Sequence, residues 1–177
     1  MLADMTVSAL LEKTAADTPV PGGGSLSAMA AAVGAALAQM VAGLTAGRKS
    51  FAAVTPEMNE LAEKARRLRR DLLADMDRDA AAYTAVMEAF RLPRNTAEEK
   101  TRRTDAIQRA TREAARVPLA VAEKALDVMM LAGTAVAKGN PNAISDGAVG
   151  AMLARAALQG ALFNVKINLR DMGKPVL

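Results

Sequence analysis

The chain contains no cysteine and no histidine among its 177 residues. Without cysteine it can form no disulfide, no thiolate nucleophile and no cysteine-based metal site. Without histidine it can hold no Ser-His-Asp triad, no imidazole general base and no histidine metal ligand. Any proton transfer must therefore use Asp, Glu, Lys, Tyr, a held water molecule or the substrate itself.

Aromatic residues make up only 2% of the chain, although 51% of it is hydrophobic. The core must therefore consist mainly of Ala, Leu, Met and Val, and such a composition favours helices because Ala, Leu and Met lose little rotamer freedom there. β-rich domains need the β-branched and aromatic residues that are scarce here. The even composition and the length predict a single domain over residues 1–177.

The formal net charge is +4, and most of the basic excess lies in residues 66–70 and 91–116. A solvated helix face explains this charge better than a nucleic-acid interface, since the aromatic residues that stack on bases are almost absent. We therefore expect no nucleic-acid partner, although a basic surface suits a small polyanionic substrate. The N-terminal residues include Asp4 and Glu12 and do not resemble a signal peptide, which predicts a cytoplasmic protein.

An alanine-rich run from Leu26 to Leu44 contains only two clearly polar residues, Ser27 and Gln39. Its length could cross a bilayer, but Ala and Gly partition weakly into lipid and no Trp or Tyr flanks the run. We therefore expect a helix buried on both sides and no membrane partner. One of its faces is bulky (Met29, Val33, Leu37, Met40, Leu44) and the other is small (Ala28, Ala32, Ala35, Gln39, Gly43).

Start and stop signals predict about five or six helices and no strands. Ser25 or Ser27 is expected to cap the alanine-rich helix, and Ser145 or Asp146 to cap the last helix. Pro118 is expected to separate two further helices. The fold class is therefore all-α, an antiparallel bundle that dimerises about a two-fold axis. The other expected helices cover residues 6–16, 55–92, 95–117, 118–138 and 148–169.

The segment Gly22-Gly23-Gly24-Ser25 leads into the alanine-rich helix. A glycine loop at a helix start exposes backbone N–H groups at the positive end of the helix dipole, which can bind a carboxylate, a phosphate or a ring carbonyl. Neither a Walker motif nor a dinucleotide fingerprint is present. A simple flexible turn is the alternative interpretation.

Two charged residues are candidates for proton transfer. Asp79 lies one turn from Asp75 and from Tyr83, beside a small apolar segment that could raise its pKa. The alternative is a solvated carboxylate. Lys49 precedes Phe51 and could be desolvated enough to lower its pKa, although a surface lysine near a helix C-terminus is more common.

Polar residues also cluster at the last predicted helix. Capping explains one polar residue of "GNPNAISDG", but it does not explain Asn140, Asn142, Ser145 and Asp146 together. Within the helix, Asn164 and Asn168 lie one turn apart on a face of small residues. Buried amides need partners, so these two could bond each other across a two-fold axis or bind a heterocycle.

Five segments in order resemble the formiminotetrahydrofolate cyclodeaminase family: "TPVPGGGSLSAMAAAVGAALAQMVAGLT", "GRKSF", "DMDRDAAAYTAVMEAFRLP", "VPLAVAEKAL" and "GNPNAISDGAVGAMLARAALQGALFNVKINL". This family comprises the C-terminal domain of formiminotransferase-cyclodeaminase and free-standing bacterial relatives, some of which are methenyltetrahydrofolate cyclohydrolases. The turn "GRKSF" departs from the family pattern, so only Lys49 matches there. The chain also stops soon after "NLRDMG", where relatives continue into another helix.

The resemblance implies an all-helical homodimer that binds a tetrahydrofolate derivative as substrate, with no other cofactor and no metal. It implies cyclodeamination of 5-formiminotetrahydrofolate, with methenyltetrahydrofolate cyclohydrolysis as the alternative. A non-catalytic folate-binding or assembly protein and a basic nucleic-acid-binding bundle are further alternatives. On this resemblance, we expect Asp79 or Asp146 to transfer a proton. We expect Lys49 to bind the folate tail or to assist proton transfer. Substrate binding falls to Gly22, Gly23, Gly24, Ser25, Asn142, Asn164 and Asn168.

Overall fold

The computed structural model describes residues 1–170, which contain helices and no strand. This confirms the all-α prediction. Short 3-10 turns at Leu2–Asp4, Lys49–Val54 and Pro141–Ala143 connect or precede the longer elements. Five α-helices form the body of the structure: α1 Val7–Ala15, α2 Gly23–Ala46, α3 Thr55–Phe90, α4 Ala97–Lys138 and α5 Ile144–Leu169.

The four long helices form an antiparallel bundle. At one end, Lys138 Nζ near the end of α4 lies 2.7 Å from Glu57 Oε1 in the first turn of α3. At the same end, the N–H of Asn140 donates to Thr45 Oγ1 near the end of α2, at 2.9 Å. Helices α2 and α4 therefore end where α3 and α5 begin, so consecutive long helices run in opposite directions.

Small residues allow the helices to approach closely. The buried face of α2 consists largely of alanines, which pack with Leu72, Met76, Val121 and Val128 of α3 and α4. A Cβ atom at Gly34 would lie only 2.8 Å from the carbonyl oxygen of Gly150, so glycine is needed where α2 crosses α5. The buried residues are mostly Ala, with Leu, Val and Met, which confirms the core composition predicted from the sequence.

The expected interruption at Pro118 is wrong, because α4 runs through this residue without a break. Proline has no N–H to donate to the carbonyl four residues earlier, which here belongs to Ala114. The side-chain amide of Asn168 on α5 donates to that carbonyl instead, at 2.6 Å. A contact between residues far apart in sequence therefore supports the proline inside the helix.

The expected serine and aspartate caps are also wrong. The N-cap of α2 is Gly22, which has no side chain to cap with, and Ser25 and Ser27 lie inside the helix. Helix α5 begins at Ile144, so Ser145 and Asp146 lie in its first turn rather than before it. The 3-10 turn that precedes α5 is closed by the Asn140 side chain, which accepts from the N–H of Asn142 at 3.1 Å.

Helix α2 is not buried on both sides within this chain. On its small face Ala28, Ala32 and Ala35 are buried, whereas Gly43 is exposed. The bulky face is partly open to solvent, with Val33, Met40 and Leu44 exposed by 43%, 41% and 46%. Within residues 1–170, Gly23–Ala46 and Pro141–Leu169 are long and apolar enough to cross a membrane by length and composition. Core helices of soluble proteins meet the same criterion, so this finding is weak support for a membrane span.

Candidate functional site

A cavity of about 450 Å³ lies at the N-terminal end of α2. The loop before α2 and the start of α2 form one wall, and residues of α3, α4 and α5 form the others. Apolar groups provide most of the surface, among them the side chains of Val86, Met87, Phe90 and Ile167. The polar side chains that line the cavity are Asp79, Tyr83, Thr111, Asn164 and Asn168.

Asp79 is held in this cavity by the first turn of α2. The hydroxyl of Ser25 lies 2.9 Å from Asp79 Oδ2 and 3.0 Å from the carbonyl oxygen of Met76. Ser25 is completely buried, so its hydroxyl has no access to solvent. The backbone N–H of Ser25 faces the same carboxylate. Ser25 therefore links α2 to α3 at the position of the carboxyl group.

Gly24 makes this approach possible. A Cβ atom at residue 24 would lie 2.2 Å from Asp79 Oδ1 and 2.6 Å from Asp79 Cγ, so any side chain here would displace the Asp79 carboxyl group. The glycine start of α2 was expected to bind a carboxylate, a phosphate or a ring carbonyl, and within this chain the carboxyl group of Asp79 lies against it. Asp79 thus takes the place of the cap that Gly22 cannot provide.

Burial raises the pKa of Asp79 above its usual range. Hydrogen bonds from the hydroxyl and the backbone N–H of Ser25 lower this pKa, but their effect is smaller than that of burial. A carboxyl group with a raised pKa retains its proton at higher pH than an exposed aspartate does. Asp79 is therefore suited to donate and accept a proton within the cavity.

Tyr83 is the second titratable side chain of the cavity lining. It lies one turn beyond Asp79 on α3 and is 37% exposed. The periodicity of α3 places Tyr83 and Met87 on the same apolar stripe as the core residues, and this stripe predicts core positions for both. Both residues line the cavity instead.

Both asparagines of α5 line the cavity, and each is anchored within this chain. Asn164 Nδ2 donates to the carbonyl of Gly160 at 2.9 Å, and Asn168 Nδ2 donates to the carbonyl of Ala114 at 2.6 Å. Neither needs the other across a two-fold axis. The side-chain oxygen of each accepts no hydrogen bond from the described residues, which leaves two acceptors for a ligand in the cavity.

Arg103 supports the end of the cavity formed by Phe90. Its guanidinium donates to the carbonyl of Phe90 at 3.2 and 3.3 Å and lies 5.6 Å from the centre of the phenyl ring. Arg103 is only 8% exposed. It therefore caps the C-terminus of α3 and fixes the Phe90 side chain from α4. Both residues were missed in the sequence, because this contact joins two helices.

Three predicted site residues do not lie in the cavity: Lys49, Asn142 and Asp146. They are at the opposite end of α2, whose 24 residues correspond to about 36 Å. Lys49 is exposed, so the desolvation expected for its side chain is not observed within this chain. The cavity and the adjoining first turn of α2 bring together the other predicted residues: Gly22, Gly23, Gly24, Ser25, Asp79, Asn164 and Asn168.

The motif "GNPNAISDG" forms a structural corner at that opposite end. A Cβ atom at Gly139 would lie 2.2 Å from the carbonyl oxygen of Ala135, so only glycine fits. The main chain of Asn140 bonds to the buried Thr45, and its side chain bonds to the N–H of Asn142. These contacts explain why a polar residue occupies position 140. The side chains of Asn142 and Ser145 are exposed to solvent.

Residues 6–175 match the family described as formiminotransferase-cyclodeaminase. The chain belongs to this family. It is 40% identical to the methenyltetrahydrofolate cyclohydrolase of Methylorubrum extorquens, with 97% of this chain and 83% of that protein aligned. It is 39% identical to the formimidoyltransferase-cyclodeaminase of Rattus norvegicus, of which it covers 32%.

A solved structure supports the same membership of the formiminotransferase-cyclodeaminase family. The formiminotetrahydrofolate cyclodeaminase of Thermotoga maritima superposes with a TM-score of 0.87 at 29% identity, over 98% of this chain and 83% of that one. The family resemblance and the bundle fold predicted from the sequence are therefore confirmed. Within residues 1–170, no group of three or more Asp or Glu side chains is placed to hold a metal ion.

Proposed function

We propose that this protein is a folate one-carbon enzyme that converts 5-formiminotetrahydrofolate to 5,10-methenyltetrahydrofolate and ammonia. The observation that carries this proposal is the half-buried Asp79, whose pKa burial raises and which lines a cavity of about 450 Å³. A cavity of this size suits a small heterocyclic ligand. Relatives at 39% and 29% identity are named for this cyclodeaminase activity.

The reaction consumes one proton, and Asp79 is the group that supplies it. N10 attacks the formimino carbon, the bond from that carbon to the terminal nitrogen breaks, and the methenyl bridge between N5 and N10 forms. The Asp79 carboxyl protonates the departing nitrogen. Its carboxylate then accepts the proton that N10 loses and passes it to the same nitrogen, which leaves as ammonia. One proton from solvent then restores the carboxyl group. Orientation of N10 against the formimino carbon supplies much of the remaining rate enhancement.

The remaining cavity residues bind and orient the substrate in this proposal. The apolar walls around Met87, Phe90 and Ile167 cover the faces of the rings. The oxygen atoms of Asn164 and Asn168 accept N–H groups of the pteridine. The cavity excludes water from one side of the reacting carbon, which strengthens the electrostatic effect of Asp79.

Cyclohydrolysis of 5,10-methenyltetrahydrofolate is the second candidate. It is favoured by the 40% identity to a methenyltetrahydrofolate cyclohydrolase that the chain covers by 83%. Here water attacks the methenyl carbon, the bond from that carbon to N5 breaks, and one proton is released. The Asp79 carboxylate accepts a proton from the attacking water, and a proton is delivered to N5 as 10-formyltetrahydrofolate forms.

Absorbance of the methenyl chromophore distinguishes the candidates. The purified protein is incubated with each substrate, and Asp79→Asn and enzyme-free samples serve as controls. Formation of the chromophore from the formimino substrate supports cyclodeamination, whereas accelerated loss of the chromophore supports cyclohydrolysis. Folate binding by calorimetry without either change would support a non-catalytic folate-binding protein and overturn the proposal.

We also propose that a second copy of the chain covers the bulky face of α2. Helix α5, which crosses α2 at Gly34 and Gly150, adds exposed apolar side chains, including Met152 at 70% and Phe163 at 67%. A two-fold axis perpendicular to α2 would place the end of one α2 beside the start of the other. Lys49 and Asp146 of the partner subunit would then approach the cavity.

Oligomeric state tests this arrangement directly. Sedimentation of the protein at several concentrations is expected to give twice the mass of one chain. Mixing an Asp79→Asn chain with a Lys49→Ala chain is expected to restore activity if each cavity uses both subunits. A fully active monomer would overturn the arrangement. The cytoplasmic location stays a prediction.

A further inference from the structure

Pro118 lies in the interior of α4 and is fully buried. In a regular α-helix the carbonyl of residue 114 would accept the N–H of residue 118. Proline has no N–H, so the carbonyl of Ala114 lacks this bond. Ala114 is only 7% exposed, and solvent therefore has little access to its carbonyl. A buried carbonyl in this position needs another donor.

Asn168 supplies that donor from another helix. Its Nδ2 atom lies 2.6 Å from the carbonyl oxygen of Ala114, and both residues line the cavity. Asn164, one turn earlier, is different, because its amide donates to the carbonyl of Gly160 in its own helix. The orientation of the Asn168 amide therefore depends on the Ala114 carbonyl of α4, which has no helical N–H partner. The orientation of the Asn164 amide does not depend on α4.

We propose that Pro118 is a positioning residue for ligand binding and that it acts through Asn168. The vacant Ala114 carbonyl holds the Nδ2 side of the amide and leaves Oδ1 as an acceptor for the ligand. A residue with an N–H at position 118 would occupy the carbonyl and release the amide to rotate. The ligand group that fits is an N–H donor edge of a heterocycle, which rests on the folate function proposed above.

The variant Pro118→Ala tests this proposal because it should separate stability from binding. Alanine restores the helical hydrogen bond, so the midpoint of denaturation is expected to stay the same or to rise. KM for the folate substrate is expected to increase about fivefold, the factor contributed by one ordinary hydrogen bond, with kcat changed less than about twofold. Pro56→Ala is the matched control, because Pro56 lies in the first turn of α3 and leaves no interior carbonyl vacant.

A double-mutant cycle shows whether Pro118 acts through Asn168. Asn168→Ala is expected to raise KM at least as much as Pro118→Ala, and the double variant is expected to match Asn168→Ala alone. Additive effects would overturn the proposal, as would an unchanged KM in Pro118→Ala. Loss of folding in Pro118→Ala would overturn it as well, since the restored helical bond is expected to preserve the fold.

Hydrogen exchange of the Asn168 side-chain amide gives a readout that does not depend on turnover. The NMR signal is assigned by its disappearance in Asn168→Ala. It is expected to exchange slowly in the original protein and at least tenfold faster in Pro118→Ala. Equal exchange in both proteins would overturn the proposal. If the original protein turned over neither folate substrate, the proposed function would fail, while the exchange measurement would still decide the role of Pro118.

Discussion

Replacing Gly24 by alanine tests whether the first turn of α2 positions Asp79. The new Cβ would lie 2.2 Å from Asp79 Oδ1, so the carboxyl group must move by more than about 1 Å to reach ordinary van der Waals contact. That shift breaks the 2.9 Å bond between Ser25 Oγ and Asp79 Oδ2. Crowding and the lost bond together cost about 2–4 kcal/mol, and the better helix propensity of alanine offsets at most about 1 kcal/mol.

The expected result for Gly24→Ala is a loss of about 1–3 kcal/mol in the free energy of unfolding, measured by denaturant titration. Turnover in the methenyl absorbance assay is expected to fall by about 10²-fold or more, the contribution typical of a positioned acid–base group. Gly43→Ala is the matched control in the same helix, because a Cβ there meets no atom within 4 Å. If Gly24→Ala kept the activity of Gly43→Ala, Asp79 would not need its position beside α2.

Other variants test the charge, the core and the surface. Asp79→Asn should abolish most turnover yet raise stability at neutral pH. The reason is that the folded state holds the proton of Asp79 more tightly than the unfolded chain does, so this residue's contribution is lost as pH rises through the folded pKa. Stability profiles of the two proteins should converge at acid pH, and parallel profiles would contradict this reasoning. Asp75→Ala should cost about 3–5 kcal/mol in denaturant titrations, because the buried carboxylate pairs with Lys124 across α3 and α4 and its loss leaves that lysine unpaired. A cost below about 1 kcal/mol would show that water reaches this pair easily. Met152→Glu should leave the fold intact and shift sedimentation to a single chain, since Met152 is 70% exposed in one chain; an unchanged dimer would exclude this face as the interface.

The sequence predicts the helices well because their signals are local. Period-3.6 stripes, the Thr55-Pro56 start and the Leu92-Pro93 stop depend on neighbours within a few residues, and the structure has α3 over Thr55–Phe90. The errors arise where a distant residue changes the local outcome. Pro118 stays inside α4 because Asn168, 50 positions later, bonds the carbonyl that proline leaves vacant.

The candidate site could be predicted only in part, for a related reason. Glycine at a helix start indicates an anion site, but the sequence does not reveal that Asp79 supplies the anion from α3. Lys49 and Asp146 belong to the same ordered motifs as Asp79, and order along the chain carries no information about which end of the bundle a residue occupies. Arg103 and Phe90 meet only because α3 and α4 run in opposite directions.

Two polar residues of the cavity, Asp79 and Asn168, have a common structural basis, which is an irregularity in the backbone of a neighbouring helix. Asp79 faces a start of α2 that lacks its own side-chain cap, and Asn168 faces a carbonyl of α4 that lacks its own N–H. In both cases a main-chain group of the neighbouring helix helps to orient the side chain, joined at Asp79 by the Ser25 hydroxyl. A substitution that makes either helix more regular, such as Gly24→Ala or Pro118→Ala, should therefore disturb the cavity more than its effect on helix propensity predicts. We therefore expect function in this bundle to depend on positions where the regular helix pattern is broken.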